Sequence, residues 1–468
     1  MLKVYNTLSQ KKEIFKPRKD KKVNIFVCGP TVYDFSHIGH ARTYLVFDMI
    51  VKYLREKKYK VFYLQNITDI DDKIIERAKK TKIFWKKLSQ KFEKEYFADM
   101  KTLNINSISK YARATDYIKE IISQVEKLLK KGFAYQIEDG IYYDISKFKD
   151  YGKLSKRTIL MAEDAFSRID ENIKKKNRAD FCLWKFSKKD ESKWKSPFGE
   201  GRPGWHIEDT AITEKYFGSQ YDIHGGAREL IFPHHEAEIA QMEAISEKKP
   251  LVKYWFHTGL LTIKGKKMAK SLGNFITIKD FIKIHSARIL RLFILKTHYR
   301  SSIDYSEKEI EQVKRQLERI DEFITKLKIQ NSKCKTIIQS SKLIQNLILE
   351  IKNRFEKAME DDFNTPKAIA VIFDLINKGN SLITQNKLNL VDIRNILNFL
   401  RRVDKIFNFI FEPKLKKKIP VKILKLVKER EKFRRIKEFE KADKIREKIK
   451  QMGYWIEDTK KGSKIKKV

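Results

Sequence analysis

At 468 residues, 41% hydrophobic and 35% charged, the chain is globular and too long for a single core, so three or four domains are expected. No run approaches the ~18 apolar residues of a membrane span, the opening MLKVYNTLSQKK lacks the apolar core of a secretion signal, and three scattered cysteines (Cys28, Cys182, Cys334) cannot build a disulfide framework, which together suit a cytoplasmic setting. Lys+Arg of 102 against Asp+Glu of 61 gives +41, an excess that attracts polyanions, RNA above all, although drift towards A/T-rich codons also raises lysine.

Lys3–Pro17 reads as a leading hairpin or strand. The β-branched run Val23, Ile25, Phe26, Val27 predicts a buried strand that breaks at Gly29-Pro30. A helix follows, with Leu45, Val46, Met49, Ile50, Tyr53 and Leu54 at helical spacing, and then a second β-rich run, Val61–Ile67. Strand–helix–strand in so short a span is a parallel βαβ unit, whose ligands lie at the carboxyl ends of strands, where Cys28, His37 and Thr68 fall. Ile74–Lys131 is helical in pattern. Strand pieces at 134–137 and 140–145 and a charged, aperiodic stretch to Lys195 complete an insertion over Asn104–Lys195. The sheet domain resumes at Gly201, strand signals almost vanish beyond Asp280, and Glu307–Asn408 holds long amphipathic helices interrupted at DDFNTPKA. Pro413–Pro420 is a basic linker and Val421–Val468 a small lysine-rich unit, in which one basic helix is expected over Arg430–Lys450.

Three constellations carry chemistry. His37 and His40 stand at the mouth of a helix that follows a strand, where free backbone N–H groups and the helix dipole favour a phosphate, and Gly39 leaves room for a flat ring. GKKMAKSLGN (265–274) sets Lys267 and Lys270 three apart between glycines, as in a loop that brings ammonium groups to a polyphosphate, or in an ordinary basic turn. His234 and Glu238, at i and i+4, share a helix face that His235 and Glu236 do not; with Cys28 and Asp209 they offer N, S and O ligands suited to zinc. Taken singly the same residues read as a buried thiol, a helix cap and a surface pair.

The blocks together resemble class I aminoacyl-tRNA synthetases, and within them the cysteinyl-tRNA synthetases. HIGH at His37–His40 matches one class signature and KMAKS at Lys267–Ser271 is similar to KMSKS. CGPTVYD, NITDIDDKI, YGKLSKR, GRPGWHIE, IHGG, FPHHE, KSLGNF and DDFNTPKA follow in the family's order. The resemblance implies an α/β Rossmann-type (HUP-like) parallel-sheet catalytic domain with an inserted α+β domain, then an α-helical bundle and a small C-terminal domain. The implied bounds are catalytic halves 1–103 and 196–285, an acceptor-end insertion 104–195, a stem-contact region and bundle 286–412, and an anticodon-binding domain 413–468. It implies a monomer acting on ATP with Mg²⁺, L-cysteine and tRNA(Cys), with one Zn²⁺ per chain. By motif position, Gly29, Thr31, His37, Gly39, His40 and Lys270 meet ATP, with His37, His40, Lys267 and Lys270 catalytic. Thr68, Trp205 and His206 lie at the amino acid, and Cys28, Asp209, His234 and Glu238 hold the zinc.

Two departures bear on this. The family pattern usually has cysteine where Asp209 stands, which keeps the charge and loses a soft donor, and Ala269 replaces the first serine of KMSKS. Two other readings keep the core and change the function. A ligase for a small amine would have no use for Glu307–Val468, and a non-catalytic RNA-binding relative is expected to have lost HIGH or the signature lysines.

Overall fold

The computed structural model describes residues 1–157, 174–188, 191–268, 273–333, 342–412, 420–436, 438–459 and 462–467. Chain contacts divide it into two compact units, Met1–Phe411 and Glu412–Val468. The first opens with an antiparallel hairpin, β1 (Lys3–Asn6) and β2 (Lys11–Ile14). β3 (Lys22–Val27), α1 (Ile38–Glu56), β4 (Lys60–Ile67), α2 (Asp72–Thr81), α3 (Trp85–Thr102) and β5 (Lys110–Arg113) follow. Next come α4 (Ile118–Lys130), β6 (Ala134–Ile137), β7 (Gly140–Tyr143), β8 (Phe181–Phe186) and β9 (Gly201–Pro203). α5 (Ile207–Phe217), β10 (Tyr221–Ala227), α6 (Glu236–Ser246), β11 (Val252–Thr258), β12 (Leu261–Ile263) and β13 (Lys266–Lys267) return the chain to the catalytic core. α7 (Ile278–Ile284), α8 (Ala287–Leu295) and β14 (Ile303–Tyr305) lead to four long helices: α9 (Glu307–Lys333), α10 (Lys342–Glu360), α11 (Thr365–Thr384) and α12 (Leu390–Phe407).

The central sheet is five parallel strands in the order β11-β10-β3-β4-β5, the doubly wound frame expected. Two domain bounds shift. β5 pairs with β4, so the first catalytic half runs to Arg113 rather than residue 103; its KYAR sequence is too short and too charged to show a strand pattern inside a helical stretch. β9 pairs with β8 in the four-stranded antiparallel sheet of the insertion, which therefore reaches Pro203 rather than residue 195. β14, pairing with β12, is likewise a strand where strand signals had faded. Among the described residues no helix is long and apolar enough to cross a membrane.

Helix α1 is buried on nearly every side, including all six apolar positions named from its spacing. Its one buried acid, Asp48, ties the catalytic half to the helical region. Arg291 on α8 donates to Asp48 Oδ2 (2.8 Å) and to the carbonyls of Phe407 (2.8 Å) and Leu103 (2.5 Å). Lys52 (2.8 Å) and the N–H groups of Asn106 and Ser107 (both 3.2 Å) complete the cage. One continuous apolar core accordingly spans the sheet and α9–α12, with no break at residue 286.

The second unit pairs α13 (Val421–Arg435) and α14 (Phe439–Gln451) with the hairpin β15 (Tyr454–Thr459)–β16 (Gly462–Lys467) around Ile423, Val427, Ile445, Ile449 and Ile456. The single helix expected over Arg430–Lys450 is two. α13 stops at Arg435 and Glu438 N–H bonds back to the Phe433 carbonyl, so Ile436 and Phe439 are exposed while Phe433 and Ile445 meet the core.

Burial alone would raise the Asp48 carboxyl, but Arg291 and Lys52 outweigh it and hold it below the ordinary value. The cage therefore stabilises at neutral pH and is lost as acid protonates Asp48. Arg291→Leu leaves Asp48 buried with one cation fewer, at a cost of roughly 3–5 kcal/mol in urea denaturation at pH 7. A change below about 1 kcal/mol would mean the cage is dispensable.

Candidate active site and metal centre

The sheet's carboxyl edge collects the expected residues. Cys28 continues the ladder past β3, its N–H donating to the Gly225 carbonyl at 3.1 Å. Gly29 N–H donates to Asn66 Oδ1 at 2.5 Å, and a Cβ on Gly29 would come within 1.8 Å of the Asn66 carbonyl oxygen, so only glycine fits. Thr31 and Thr68 bridge β3's exit to β4's, through Thr68 N–H to the Pro30 carbonyl and Val32 N–H to the Thr68 carbonyl, both 3.1 Å. The Thr68 hydroxyl bonds the buried carboxylate of Glu208.

His37 is the N-cap of α1. Its Nδ1 accepts from Gly39 N–H (3.0 Å) and His40 N–H (3.3 Å), while His40 Nδ1 accepts from His37 N–H (3.2 Å), a reciprocal box made of two imidazoles. The first-turn N–H groups expected to meet a phosphate are thus already occupied, that of Ile38 by the Ile276 carbonyl at 3.1 Å and the others by the two imidazoles. The space beside Gly39 is filled by the His37 ring, 2.8 Å from where a Cβ would stand. The rings stack with centroids 3.8 Å apart. Burial, and for His37 the neighbouring His40, lowers them to about 3 (His37) and about 4 (His40), so both are neutral. A neutral ring whose Nδ1 accepts carries its proton on Nε2, so each histidine offers a ligand one uncharged donor.

Lys267 lies on β13, its side chain 66% exposed and paired with Glu229 at 2.7 Å. An ion pair that open is worth about 0–1 kcal/mol, so a polyphosphate can take the lysine over. Lys270 lies outside the described residues.

Cys28, Asp209, His234 and Glu238 do converge: one ligand atom from each lies within 4.8 Å of the others, all four side chains buried. Asp209 sits in the first turn of α5, and its Oδ2 is 3.0 Å from His234 Nε2, which is 3.2 Å from Glu238 Oε1. Trp205 stacks on the His234 ring at 4.3 Å and His206 Nδ1 lies 2.8 Å from His234 Nδ1, so two of the three residues expected at the amino acid touch the cluster, while Thr68 bonds Glu208. No lysine or arginine pairs with Asp209 or Glu238 among the described residues, and Asp209 Oδ1 and Glu238 Oε1 are buried without a hydrogen bond. Burial, reinforced by Asp209 and other neighbouring carboxylates, pushes Cys28 and Glu238 up. Orphaned acceptors and suppressed anions in one cluster fit a divalent cation, which would satisfy the oxygens and reverse both shifts.

Two further histidines close on the same sulfur. His235 Nε2 is 3.1 Å and His224 Nε2 3.4 Å from Cys28 Sγ, and with Glu238 they form a second, overlapping ligand group. His235 is backed by His257 (2.8 Å) and His224 by Tyr221 (2.7 Å). Helical spacing had put His235 off the ligand face. The chain over Ile231–His235 is instead a widened turn with Phe232 extended (φ −136°, ψ 131°), which redirects it. The FPHHE and IHGG blocks held the signal, but only the tertiary turn reveals it.

The family model for the class I (C) tRNA synthetase catalytic domain matches residues 14–315, and a DALR domain model matches 354–412. The chain is 45% identical to a cysteine–tRNA ligase of Methanococcus maripaludis, covering 100% of both, and 43% identical to that of Thermococcus gammatolerans, covering 100% of this chain and 99% of the relative. The chain belongs to the cysteine–tRNA ligase family. Among solved structures, the synthetase resembles Mycobacterium tuberculosis methionyl-tRNA synthetase in complex with methionyl-adenylate (TM-score 0.62, 14% identity, covering 83% of this chain and 92% of that one). It also resembles LeuRS of Agrobacterium radiobacter in a ternary complex (TM-score 0.63, 12% identity, 84% and 85%). These likenesses are of fold.

In this synthetase His37→Ala removes the cap of α1 and is expected to lower stability by about 1 kcal/mol, whereas His37→Asn, which caps well, largely restores it. Thermal denaturation of the two variants side by side checks this. Ring NMR should find His37 and His40 neutral at pH 6. Below pH 6.5 the unfolded chain binds protons the folded rings refuse, so these groups disfavour the fold as pH falls. Either ring titrating near 6.5 would contradict the neutral-donor arrangement.

Proposed function

We propose that the chain is an ATP-dependent cysteine–tRNA ligase. It activates L-cysteine as cysteinyl-adenylate and transfers it to the 3′-terminal adenosine of tRNA(Cys). The observation that carries this reading is the buried Cys28–Asp209–His234–Glu238 cluster lying at the same sheet edge as the His37–His40 cap.

The substrate carboxylate attacks the α-phosphate of Mg·ATP and pyrophosphate leaves. Charge grows on the phosphoryl oxygens as it does so, and donors already in place stabilise that charge without reorganising. His37 and His40 are such donors: fixed by their own capping bonds and neutral. Gly29 and Thr31 shape the backbone beside the nucleotide, and Lys267 and Lys270 add positive charge at the pyrophosphate. Thr68, Trp205 and His206 surround the amino acid. In the second step the 2′-OH of the terminal adenosine takes the cysteinyl group and AMP leaves.

Cysteine and serine differ by S for O, which a shape-only pocket rejects poorly. Cys28, Asp209, His234 and Glu238 would hold a zinc ion, which when bound would supply a centre that takes a thiolate and disfavours a neutral hydroxyl. With three anionic donors and a neutral histidine around a divalent ion the site would carry a net charge of −1, so the attraction for a further thiolate would come from the metal–sulfur bond rather than from net charge. The helices after residue 306 and the basic second unit fit a tRNA partner, for which a small-amine ligase has no use.

Cysteine-dependent ATP–pyrophosphate exchange, with serine as control, should proceed in the native enzyme and fall at least ~10²-fold after chelator treatment, returning with zinc. Equal exchange with both amino acids would overturn the specificity reading. Truncation after Phe411 is expected to leave this exchange nearly intact while raising the KM for tRNA(Cys) about tenfold or more; equal loss of both activities would make the second unit structural.

A further inference from the structure

Asp209 sets how firmly this donor set would hold a metal, an inference that rests on the proposed zinc function. Of the four groups only Cys28 is a soft ligand; Asp209 and Glu238 give carboxylate oxygens and His234 an imidazole. Even that sulfur is shared, with His235 Nε2 at 3.1 Å and His224 Nε2 at 3.4 Å. The carboxylates are poorly prepared for a metal-free state: both are buried, each has an oxygen without a hydrogen bond, and histidines are their only ion-pair partners among the described residues. Zinc prefers sulfur to oxygen, so a set with one sulfur holds it less firmly than a set with two.

We propose that Asp209 makes metal retention depend on the substrate. The resting site holds its ion loosely, and the substrate thiolate, arriving as the second sulfur after losing its proton to solvent, locks it in. Linkage makes the effect reciprocal: the factor by which bound cysteine tightens the metal is the factor by which the metal tightens cysteine. Serine, with a neutral hydroxyl, gives no such coupling. The site is therefore an amino-acid-gated metal site, and the enzyme's zinc occupancy follows the supply of cysteine when zinc is scarce.

The test is zinc release from the full-length, zinc-loaded protein to a chelating dye. Release is followed alone, with a non-hydrolysable sulfamoyl analogue of cysteinyl-adenylate, and with the seryl analogue. Micromolar analogues avoid the chelation that free cysteine would add. The cysteinyl analogue should slow release about tenfold or more, within the usual range of coupling between sites, and the seryl analogue by less than about threefold. Asp209→Cys should slow release from the ligand-free protein and shrink the analogue's effect. The wild-type comparison stands even if that variant folds poorly. Equal slowing by the two analogues, or an Asp209→Cys protein that folds and releases zinc as fast as wild type, overturns the proposal while leaving the metal reading intact. Protein that takes up no zinc under any condition overturns both.

Discussion

The constraint on which this site depends is the burial of a thiol and two carboxylates beside one another with no lysine or arginine paired to them among the described residues. Left alone, such a cluster resolves itself by staying protonated, and the upward shifts of Cys28 and Glu238 express that tendency. A chain gains no stability from this arrangement; well-packed apolar residues would serve the fold better. Its value is to a cation, and through the cation to a ligand that brings one more negative sulfur. The surrounding ring of His206, His224, His235 and His257 keeps the pocket polar without adding fixed charge that would compete with the metal.

The same economy of charge governs the nucleotide side. His37 and His40 spend their Nδ1 atoms on closing the first turn of α1, which fixes the rings and leaves Nε2–H as the offered donor. One helix therefore does two jobs. Its N-terminus presents the signature histidines, and ten residues on Asp48 is caged by Arg291 and the backbone of the segment leading to β5. Displacement of the helical region would thus be felt along the axis of the helix that carries the cap.

Much of this was legible in the sequence, for identifiable reasons. The parallel sheet showed itself because β3 and β4 are apolar runs joined through a helix, and the four metal candidates because His234 and Glu238 stand at i and i+4 and the blocks around them, with Cys28 and Asp209, resemble those of a known family. What escaped was tertiary. β5 and β9 are short strands whose pairing partners, not their own composition, make them strands. His235 is turned inward by a widened turn, and His224 reaches Cys28 from a neighbouring strand, with sequence separations of about two hundred residues that no local pattern records. The break between α13 and α14 falls inside a uniformly basic, apolar-interleaved stretch, where helical periodicity continues across a point at which the backbone does not.

The central claim, that this chain reads sulfur through a metal held by Cys28, Asp209, His234 and Glu238, is tested most directly by X-ray absorption at the zinc edge. The account predicts one sulfur among otherwise nitrogen and oxygen neighbours in the resting protein, and two sulfurs once cysteine or a cysteinyl-adenylate analogue is bound. A sulfur count that stays the same on adding substrate, or a bound zinc with no sulfur at all, would contradict it.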